Sequence, residues 1–351
     1  MQQGELTTVI VPAMNAEAFI ADTLRSILAQ THRNLQVLVV DDGSTDGTPD
    51  VVRRFAHLDE RVTLIRQDNA GVSEARNHGL RLARGHWIAP VDADDLWHPT
   101  KIARQIAAAR PETGMVYTWS SIIDVDGRVL ERRGCWSFAQ GDVLPDLVVA
   151  NFIGNASVPL VRRDCLEAIG GYDATLREGC EDYSMYMRIA ERWPVALVPA
   201  FLVGYRTHRS SMSHHIDRMW RSHNEVIDNM RRRHPDLPAA LFAWSKANAA
   251  FYLMLKCLRA GDWAGGGRCF ARTMRNDPWT MTGLFSWHRL RRHLSRLWHG
   301  PAPQLFLGPD FNPDAVGDTR PNWLKRRRDR IRRNTPCVRP VMTAWTSRPD
   351  L

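Results

Sequence analysis

The sequence predicts an α/β fold in which a mostly parallel sheet is flanked by helices and is followed by a C-terminal helical region. Two observations lead to this prediction. Short apolar runs alternate with segments of helical periodicity over the first 122 residues, and short loops connect them. Such alternation is typical of a parallel sheet covered on both faces. From Arg218 to about Trp298, apolar residues recur with helical spacing.

Each predicted strand is a short run rich in β-branched residues, and each intervening helix has an apolar face. The predicted strands are 7–12, 35–40, 62–65, 87–91 and 115–122. The predicted helices between them are 19–29, a helix that opens at 48, 71–83 and 101–109. We expect Thr48 to cap its helix and Pro49 to occupy the first helical position, because these residues favour those sites.

The pattern loosens beyond residue 123. Asp126-Gly127 is typical of a hairpin turn. Helical spacing returns over 183–193, and an extended segment interrupted by Pro199 is predicted over 195–205. Prolines and a basic run over 325–333 predict a poorly packed tail. The predicted divisions are therefore an α/β domain over 1–215, a helical region over 216–299 and a basic tail over 300–351.

Charge is distributed unevenly along the chain. The net charge is +9, but residues 216–351 hold 25 Lys and Arg against 11 Asp and Glu. This excess favours an anionic partner such as lipid headgroups, a polyanionic glycan or nucleic acid. The same stretch holds eight of the 13 tryptophans, and tryptophan with Lys or Arg is the pairing found at membrane interfaces. We expect association with an anionic membrane surface. The alternative is that these tryptophans form the core of a helical bundle.

Signals for targeting and for redox chemistry are weak. The N-terminus runs into an apolar strand without a basic leader, so we expect no signal peptide. No apolar stretch approaches the roughly 20 residues that span a bilayer. None of the six cysteines forms a C-x-x-C pair, and we expect reduced thiols in a cytoplasmic protein.

Two polar loops follow the first two predicted strands, and parallel sheets bind ligands at such strand ends. The loop that begins at Pro12 and includes Asn15 can present backbone groups to a base or ribose. Asp41-Asp42 follows the second strand, and an Asp there can accept hydrogen bonds from a base N–H or from ribose hydroxyls. Turn and cap chemistry is the alternative interpretation of both loops.

Three carboxylates follow the fourth predicted strand, at Asp92, Asp94 and Asp95. Groups of like charge so close together repel one another, and a divalent cation would remove that repulsion. Mg²⁺ and Mn²⁺ prefer oxygen ligands and commonly combine one or two carboxylates with phosphate oxygens of a substrate. The motif therefore predicts a metal site for Mg²⁺ or Mn²⁺, with an exposed acidic turn as the alternative.

Two further motifs carry candidate chemistry. Glu181-Asp182 heads an apolar helix, where a carboxylate is stabilised in its ionised form and could deprotonate a hydroxyl. An ordinary helix cap would look the same. The stretch 205–213 holds arginines and His208, which could neutralise a departing diphosphate or, through His208, bind the metal. A basic surface loop is an equally good interpretation of that stretch.

Taken together, these motifs resemble the family 2 glycosyltransferases, which have the GT-A fold. The matching stretch runs from about Thr7 to Ser213. It contains, in order, Pro12, Asn15, Asp41-Asp42-Gly43-Ser44, the run NAGVSEARNHG at 69–79, Asp92-Ala93-Asp94-Asp95, Gly170-Gly171-Tyr172-Asp173 and Glu181-Asp182. Met14 departs from the aromatic residue common at its loop position, which bears on stacking of the base there. No Q-x-x-R-W motif and no transmembrane helices follow, so the processive polymer synthases match poorly.

The resemblance implies a GT-A catalytic domain over 1–215 that moves a sugar from a nucleotide-diphosphate donor, with UDP-sugars expected, to an acceptor hydroxyl with inversion. Asp182 would be the catalytic base. Metal binding would fall to Asp94 and Asp95. The donor-binding residues would be Pro12, Asn15, Asp42, Arg76, Asp92 and His208.

The acceptor is expected to be a glycan or a lipid-linked sugar, in surface polysaccharide or glycolipid synthesis at the inner face of the plasma membrane. Two other functions fit the sequence less well. A nucleotidyltransferase should carry a glycine-rich basic loop after the first strand, and residues 13–18 hold neither glycine nor Lys or Arg. A nucleic-acid-binding protein would leave the acidic motifs without a purpose, so nucleic acid is not an expected partner.

Overall fold

The computed structural model describes residues 5–135, 137–177, 179–208, 215–283, 304–309 and 311–315. Within these residues, nine strands form one sheet. The strands are β1 (Thr7–Ala13), β2 (Leu35–Asp42), β3 (Val62–Gln67), β4 (Trp87–Pro90), β5 (Leu96–Trp97), β6 (Met115–Ile123), β7 (Val129–Cys135), β8 (Leu160–Arg162) and β9 (Val195–Arg206). The five strands predicted from the sequence are all present, most of them one or two residues longer.

The sheet order is β3-β2-β1-β4-β8-β6-β9-β5, with β7 paired to β6. Strands β1 to β4 pair in parallel, as do β6 and β9. Antiparallel pairs involve β5, β7 and β8, so the sheet is less uniformly parallel than the alternation predicted. Strands β5 and β8 have two and three residues, which is too short to produce a recognisable sequence pattern.

Helices cover the sheet and follow the predicted alternation. They are α1 (Ile20–Leu28), α2 (Thr48–Leu58), α3 (Val72–Leu82), α4 (Lys101–Ala108), α5 (Leu144–Val149), α6 (Arg163–Ala168) and α7 (Glu181–Ala190). Helix α3 lies close to the sheet at Gly79, where an added Cβ would sit 2.6 Å from a methyl carbon of Ile10. The cap predicted at Thr48 is wrong by one residue, since Gly47 holds the N-cap position and the Thr48 hydroxyl accepts a bond from the Ala16 N–H.

Strand β9 is continuous across Pro199. Its register against β6 shifts there, because Thr118 pairs with Val198 and Trp119 with Phe201. A proline cannot donate to a ladder, and a bulge accommodates it. The predicted interruption is therefore a local irregularity that lets the strand run on to Arg206, beside the acidic residues after β4.

The helical region consists of α8 (Ile216–Arg233), α9 (Ala239–Arg259), α10 (Trp263–Asn276) and a 3-10 turn at Pro278–Gly283. It packs directly on the α/β part. The ring of His223 stacks on Tyr183 of α7 at 5.7 Å, and Asn248 donates to the Val149 carbonyl of α5 at 2.9 Å. Burial lowers the pKa of His223 to about 4, so the stacked ring is neutral. No helix in the described part of the chain is long and apolar enough to cross a membrane.

The predicted poor packing of the tail over 300–351 is wrong for residues 304–309 and 311–315. Phe306 and Phe311 are buried in the main core, with ring centroids 4.7 Å apart. The Phe306 N–H donates to the Gly127 carbonyl at the β6–β7 turn, and Asp314 pairs with Arg104 at 2.7 Å. The prolines and charged residues of the tail predicted little packing, but these two phenylalanines bury apolar surface and hold the segment against the core. The basic run 325–333 lies outside the described residues.

Candidate active site

The loops after β1 and β2 are tied together by hydrogen bonds. Asn15 adopts a left-handed backbone with φ of 50°, and its side-chain oxygen accepts the Thr45 N–H at 2.9 Å. The Ser44 hydroxyl in turn accepts the Asn15 N–H at 2.9 Å. Pro12 is buried within β1. These bonds fix a two-loop wall at the carboxyl edge of the sheet, where the sequence predicted donor contacts.

Asp42, at the end of β2, organises the loop that leads into α3. One carboxylate oxygen accepts from the Gln67 amide and from the Ala70 N–H, each at 2.8 Å, and the other accepts the Gly71 N–H at 2.9 Å. The Asn69 amide reaches both the Asp42 carbonyl and the sulfur of Met14. The side chain of Asp42 is almost fully buried. It therefore holds a loop in place beside the wall formed by Asn15.

Arg76 connects the two acidic motifs. It is 2% exposed and donates to Asp92 Oδ1 and to Glu181 Oε1, each at 2.6 Å. These two carboxylates raise the pKa of Arg76 above its ordinary value despite burial, so the guanidinium is charged. Its Nε has no hydrogen-bond partner within the described residues. The predicted donor residues Arg76 and Asp92 are thus in direct contact with each other.

Asp94 and His208 also meet. His208 Nε2 lies 2.8 Å from Asp94 Oδ2, and the imidazole stacks on Phe19 with centroids 4.9 Å apart. Burial and the nearby charge of Asp92 raise the pKa of Asp94, while His208 acts in the opposite direction. About a quarter of the Asp94 side chain remains exposed, as does 30% of Asp92. Both carboxylates are therefore partly accessible to solvent.

Asp95 differs from its neighbours. It is fully buried, one oxygen accepts the Ser157 hydroxyl, and the other accepts the Arg206 N–H at 2.8 Å. Burial, followed by the charges of Asp94 and Asp92, raises its pKa well above the ordinary value. Both carboxylate oxygens of Asp95 therefore accept hydrogen bonds, one from Ser157 and one from Arg206 of β9. Metal binding by Asp95 stays a prediction.

Asp182 lies in the first turn of α7, which begins two residues earlier than predicted. Its carboxylate accepts the Tyr183 N–H at 2.6 Å and the Tyr186 hydroxyl at 3.4 Å. Burial and then the adjacent Glu181 carboxylate raise the pKa of Asp182 to about 7. Such a value places a carboxylate where it can exchange protons near neutral pH.

Sequence reasoning missed several residues that assemble this site. Ser157 accepts the Asp92 N–H at 3.0 Å and donates to Asp95, and buried Arg206 donates to the Asp94 carbonyl at 2.7 Å. Glu181, named from the sequence only as the neighbour of Asp182 at the start of a helix, is the buried partner of Arg76. No local pattern marks these roles, because each contact spans 62 or more residues. Within the described residues, no group of three or more His, Cys, Asp or Glu is arranged to hold a metal ion.

The chain is similar to known glycosyltransferases. The model of the family "Glycosyl transferase family 2" matches residues 8–159. The chain is 35% identical over 129 residues to the putative teichuronic acid biosynthesis glycosyltransferase TuaG of Bacillus subtilis, covering 36% of this chain and 51% of that protein. It is 39% identical over 103 residues to the Escherichia coli UDP-Glc:alpha-D-GlcNAc-diphosphoundecaprenol beta-1,3-glucosyltransferase WfaP, covering 29% and 40%. The chain thus spans about half or less of the length of these relatives.

Solved structures share the architecture. The S. aureus protein TarS, crystallised with UDP-GlcNAc, superposes with a TM-score of 0.51 at 15% identity, covering 78% of this chain and 92% of that one. The mannosyltransferase PcManGT of Pyrobaculum calidifontis, in complex with GDP-Man and Mn²⁺, gives 0.52 at 23% identity, covering 84% and 87%. At such identities the likeness establishes the fold. Residues 8–159 belong to glycosyl transferase family 2, and the chain has the GT-A fold.

Proposed function

We propose that this chain is a metal-dependent, inverting glycosyltransferase that moves a sugar from a nucleotide-diphosphate donor to an acceptor hydroxyl. One observation carries the proposal. Arg76 bridges Asp92, at the end of β4, and Glu181, next to Asp182, so the donor-side carboxylates and the candidate base form one connected site. A nucleotidyltransferase gains no support from any contact in this site.

The nucleotide would lie against the wall formed by the loops after β1 and β2. Asp42 holds residues 69–71 there, and Asn15 fixes the facing loop. Met14 is 52% exposed on this wall and offers a polarizable, adaptable surface to a base. We propose a UDP-sugar as donor, since TarS was crystallised with UDP-GlcNAc and WfaP is named for UDP-Glc.

Two carboxylates at the strand end support the proposal of a divalent cation there. Asp92 and Asp94 are partly exposed carboxylates, and burial together with their mutual repulsion raises the pKa of Asp94. Oxygen ligands of this kind suit Mg²⁺ or Mn²⁺, and PcManGT was crystallised with Mn²⁺. When bound, such an ion would offset charge on the departing diphosphate. We propose Asp94 as the protein ligand, with Asp92 beside it facing the ribose.

Asp182 would take the proton from the acceptor hydroxyl. Burial and the adjacent Glu181 raise the pKa of Asp182 to about 7, so the ionised carboxylate, which accepts the proton, is available near neutral pH. Tyr186 and the Tyr183 N–H hold the carboxylate in one orientation. The hydroxyl oxygen would then attack the anomeric carbon from the face opposite the diphosphate, which inverts that centre in a single displacement. Arg76 and His208 would stabilise charge on the donor side.

For the acceptor we propose a glycan or a lipid-linked sugar in surface polysaccharide or glycolipid synthesis. The support comes from the names of the relatives, which refer to teichuronic acid and to a diphosphoundecaprenol sugar. The proposed place of action is the cytoplasmic face of the plasma membrane. There the basic C-terminal region would meet anionic lipid.

A panel of nucleotide-sugars tests the proposal. Each would be incubated with the full chain and Mn²⁺, and release of the nucleoside diphosphate would be followed. We expect turnover with one UDP-sugar, loss of turnover in EDTA, and a product of opposite anomeric configuration by NMR. A product that retains the configuration of the donor, or turnover unaffected by EDTA, would reject the mechanism. Release of inorganic diphosphate from a nucleoside triphosphate would favour a nucleotidyltransferase instead.

A further inference from the structure

Helix α10 presents an apolar stripe to solvent. Its buried face, which includes Gly265, Cys269 and Thr273, packs on α9. Another face, about 120° around the helix axis, carries Trp263, Phe270 and Met274, which are 75%, 45% and 41% exposed. Positions 263, 270 and 274 fall on one side of a helix with 3.6 residues per turn. Isolated exposed apolar residues are ordinary, but a contiguous stripe marks an interaction surface.

Close helix packing extends this surface. An added Cβ on Gly266 would lie 3.1 Å from Leu258 of α9, so the two helices approach with no side chain between them at that point. Leu258 is itself 38% exposed beside α10. Trp279, in the 3-10 turn that follows α10, is 68% exposed. The apolar surface thus includes side chains from three consecutive elements, and we call it the α10 face (Leu258, Trp263, Phe270, Met274, Trp279).

Cations flank the α10 face. Arg275 and Arg268 project from α10 about 120° and about 140° around the helix axis from Trp263. Arg268 lies 3.8 Å from Asp217 of α8. Arg259 is exposed at the end of α9. Over residues 216–283, 11 Lys and Arg stand against six Asp and Glu. Asp217 of α8 pairs with Arg272 at 3.2 Å, and Asp228 of α8 pairs with Lys246 at 2.7 Å. Asp262 caps α10 by accepting the Gly265 N–H, and Asp277 accepts from the Thr280 hydroxyl, so both acids serve local turns.

We propose that the α10 face docks on the surface of an anionic bilayer, with α10 lying in the plane of the interface. Charge complementarity selects this partner, because cations beside tryptophan and phenylalanine suit the boundary between acidic headgroups and acyl chains. A helix of 14 residues is too short to span a bilayer but long enough to lie in its interface. The proposal rests on the proposed lipid-linked acceptor, whose reactive end such docking would bring to the catalytic domain.

Vesicle binding by the full chain tests the proposal. The probes are vesicles of phosphatidylcholine alone and of phosphatidylcholine mixed with phosphatidylglycerol, with binding followed by sedimentation and by tryptophan emission. We expect binding to the mixed vesicles only, with a blue shift of the emission. Trp263→Glu combined with Phe270→Glu should weaken binding to the mixed vesicles at least about tenfold, because burial of each ring contributes more than a factor of ten to the affinity. Leu58→Glu is the matched control, because Leu58 is 83% exposed on α2.

Two further measurements keep the test decisive. Trp263→Ser alone should weaken binding with no change in melting temperature, which separates docking from folding. Equal binding by the double variant and the Leu58→Glu control would overturn the proposal and assign any lipid affinity to another part of the chain. Loss of an oligomer in light scattering, with vesicle binding unchanged, would identify a second copy of this chain as the occupant. Donor hydrolysis in the absence of vesicles reports on the proposed enzyme separately, and docking variants should leave it unchanged.

Discussion

His208 Nε2 lies 2.8 Å from Asp94 Oδ2, although 114 residues separate the two in the chain. The contact joins the end of β9 to the loop after β4, and Phe19 of the α1 entry packs against the imidazole. The carboxylate that we propose as the metal ligand is therefore oriented by a neighbouring group. Hydrogen bonds of this kind commonly fix the direction and basicity of a metal ligand.

The first prediction concerns Asp94. Asp94→Asn should abolish transfer and greatly weaken donor binding, because a neutral amide cannot offset the charge of a cation. His208→Ala should have a smaller effect, about tenfold on metal-dependent donor affinity, since it changes only the orientation of the ligand. Calorimetry with UDP and Mn²⁺ measures both. Asp50→Asn, on the exposed surface of α2, is the control. Full activity of Asp94→Asn would contradict the metal assignment.

The second prediction concerns the base. Asp182→Asn should leave donor affinity nearly unchanged while kcat falls by roughly 10²–10⁴, which is the usual effect of losing a general base. Steady-state kinetics and donor titration on the same preparation separate the two quantities. If donor affinity collapsed instead, Asp182 would be a binding residue, and Glu181 would be the next candidate.

The third prediction links Asp182 to pH-dependent stability. Its pKa is about 7 in the folded chain against an ordinary value of 3.8, so between these values the folded state binds more protons than the unfolded state. The Asp182 contribution to stability therefore declines as pH rises from about 4 to 7. The Asp182→Asn variant has no titrating carboxylate at this position, so it lacks this decline in stability with rising pH. Its melting temperature should exceed that of the wild type above pH 7, and the gap should close towards pH 4. A gap that did not vary with pH would mean that the carboxylate titrates normally.

The fourth prediction concerns Arg76. Arg76→Ala leaves the buried Glu181 carboxylate without its cation, and breaking a buried pair in this way costs about 3–5 kcal/mol of unfolding free energy. Arg76→Lys should recover only part of this, because an ammonium lacks the planar fork that reaches two carboxylates. Urea unfolding measures the difference. Arg25→Ala, which breaks an exposed pair with Asp22, should cost no more than about 1 kcal/mol. Similar costs for both would show that the bridge is unimportant.

The fifth prediction tests the packed part of the tail. Phe306 is fully buried, so Phe306→Ala should cost about 3–5 kcal/mol in unfolding free energy. Leu305 is 51% exposed, and Leu305→Ala should fall within about 0.5 kcal/mol of the wild type. Equal, small effects in thermal or urea unfolding would mean that this segment contributes little to the core.

The sequence predicted the parts of this site that follow strand ends. Asp42 and Asp92 stand directly after buried apolar runs, and the register of β1 with its neighbours brings those ends to one edge. Hydrophobic periodicity and turn-forming residues are local features, so positions at strand ends can be predicted from the sequence. The helix that carries Asp182 was also predicted, because its apolar face has a regular spacing.

The connections between motifs could not be predicted in the same way. Ser157 joins Asp92 to Asp95. Arg206, expected either near a diphosphate or in a basic surface loop, is a buried donor to the Asp94 carbonyl. Both depend on which strands become neighbours, and the two- and three-residue strands β5 and β8 leave no trace in the hydrophobic pattern. Phe306 and Phe311 likewise pack against parts of the sheet that lie 100 residues or more away along the chain, and no local sequence pattern predicts this.

The stacking of His223 on Tyr183 has a consequence for how such an enzyme can be altered. Tyr183 directly follows Asp182, so the helix bearing the candidate base is a wall shared by the α/β part and the C-terminal helices. The C-terminal region is thus not a detachable module. A chimera that exchanged it at residue 215 to change the acceptor would open the back of the catalytic helix to water. Functional recombinants would have to keep α8 and its neutral histidine, and place the junction after them.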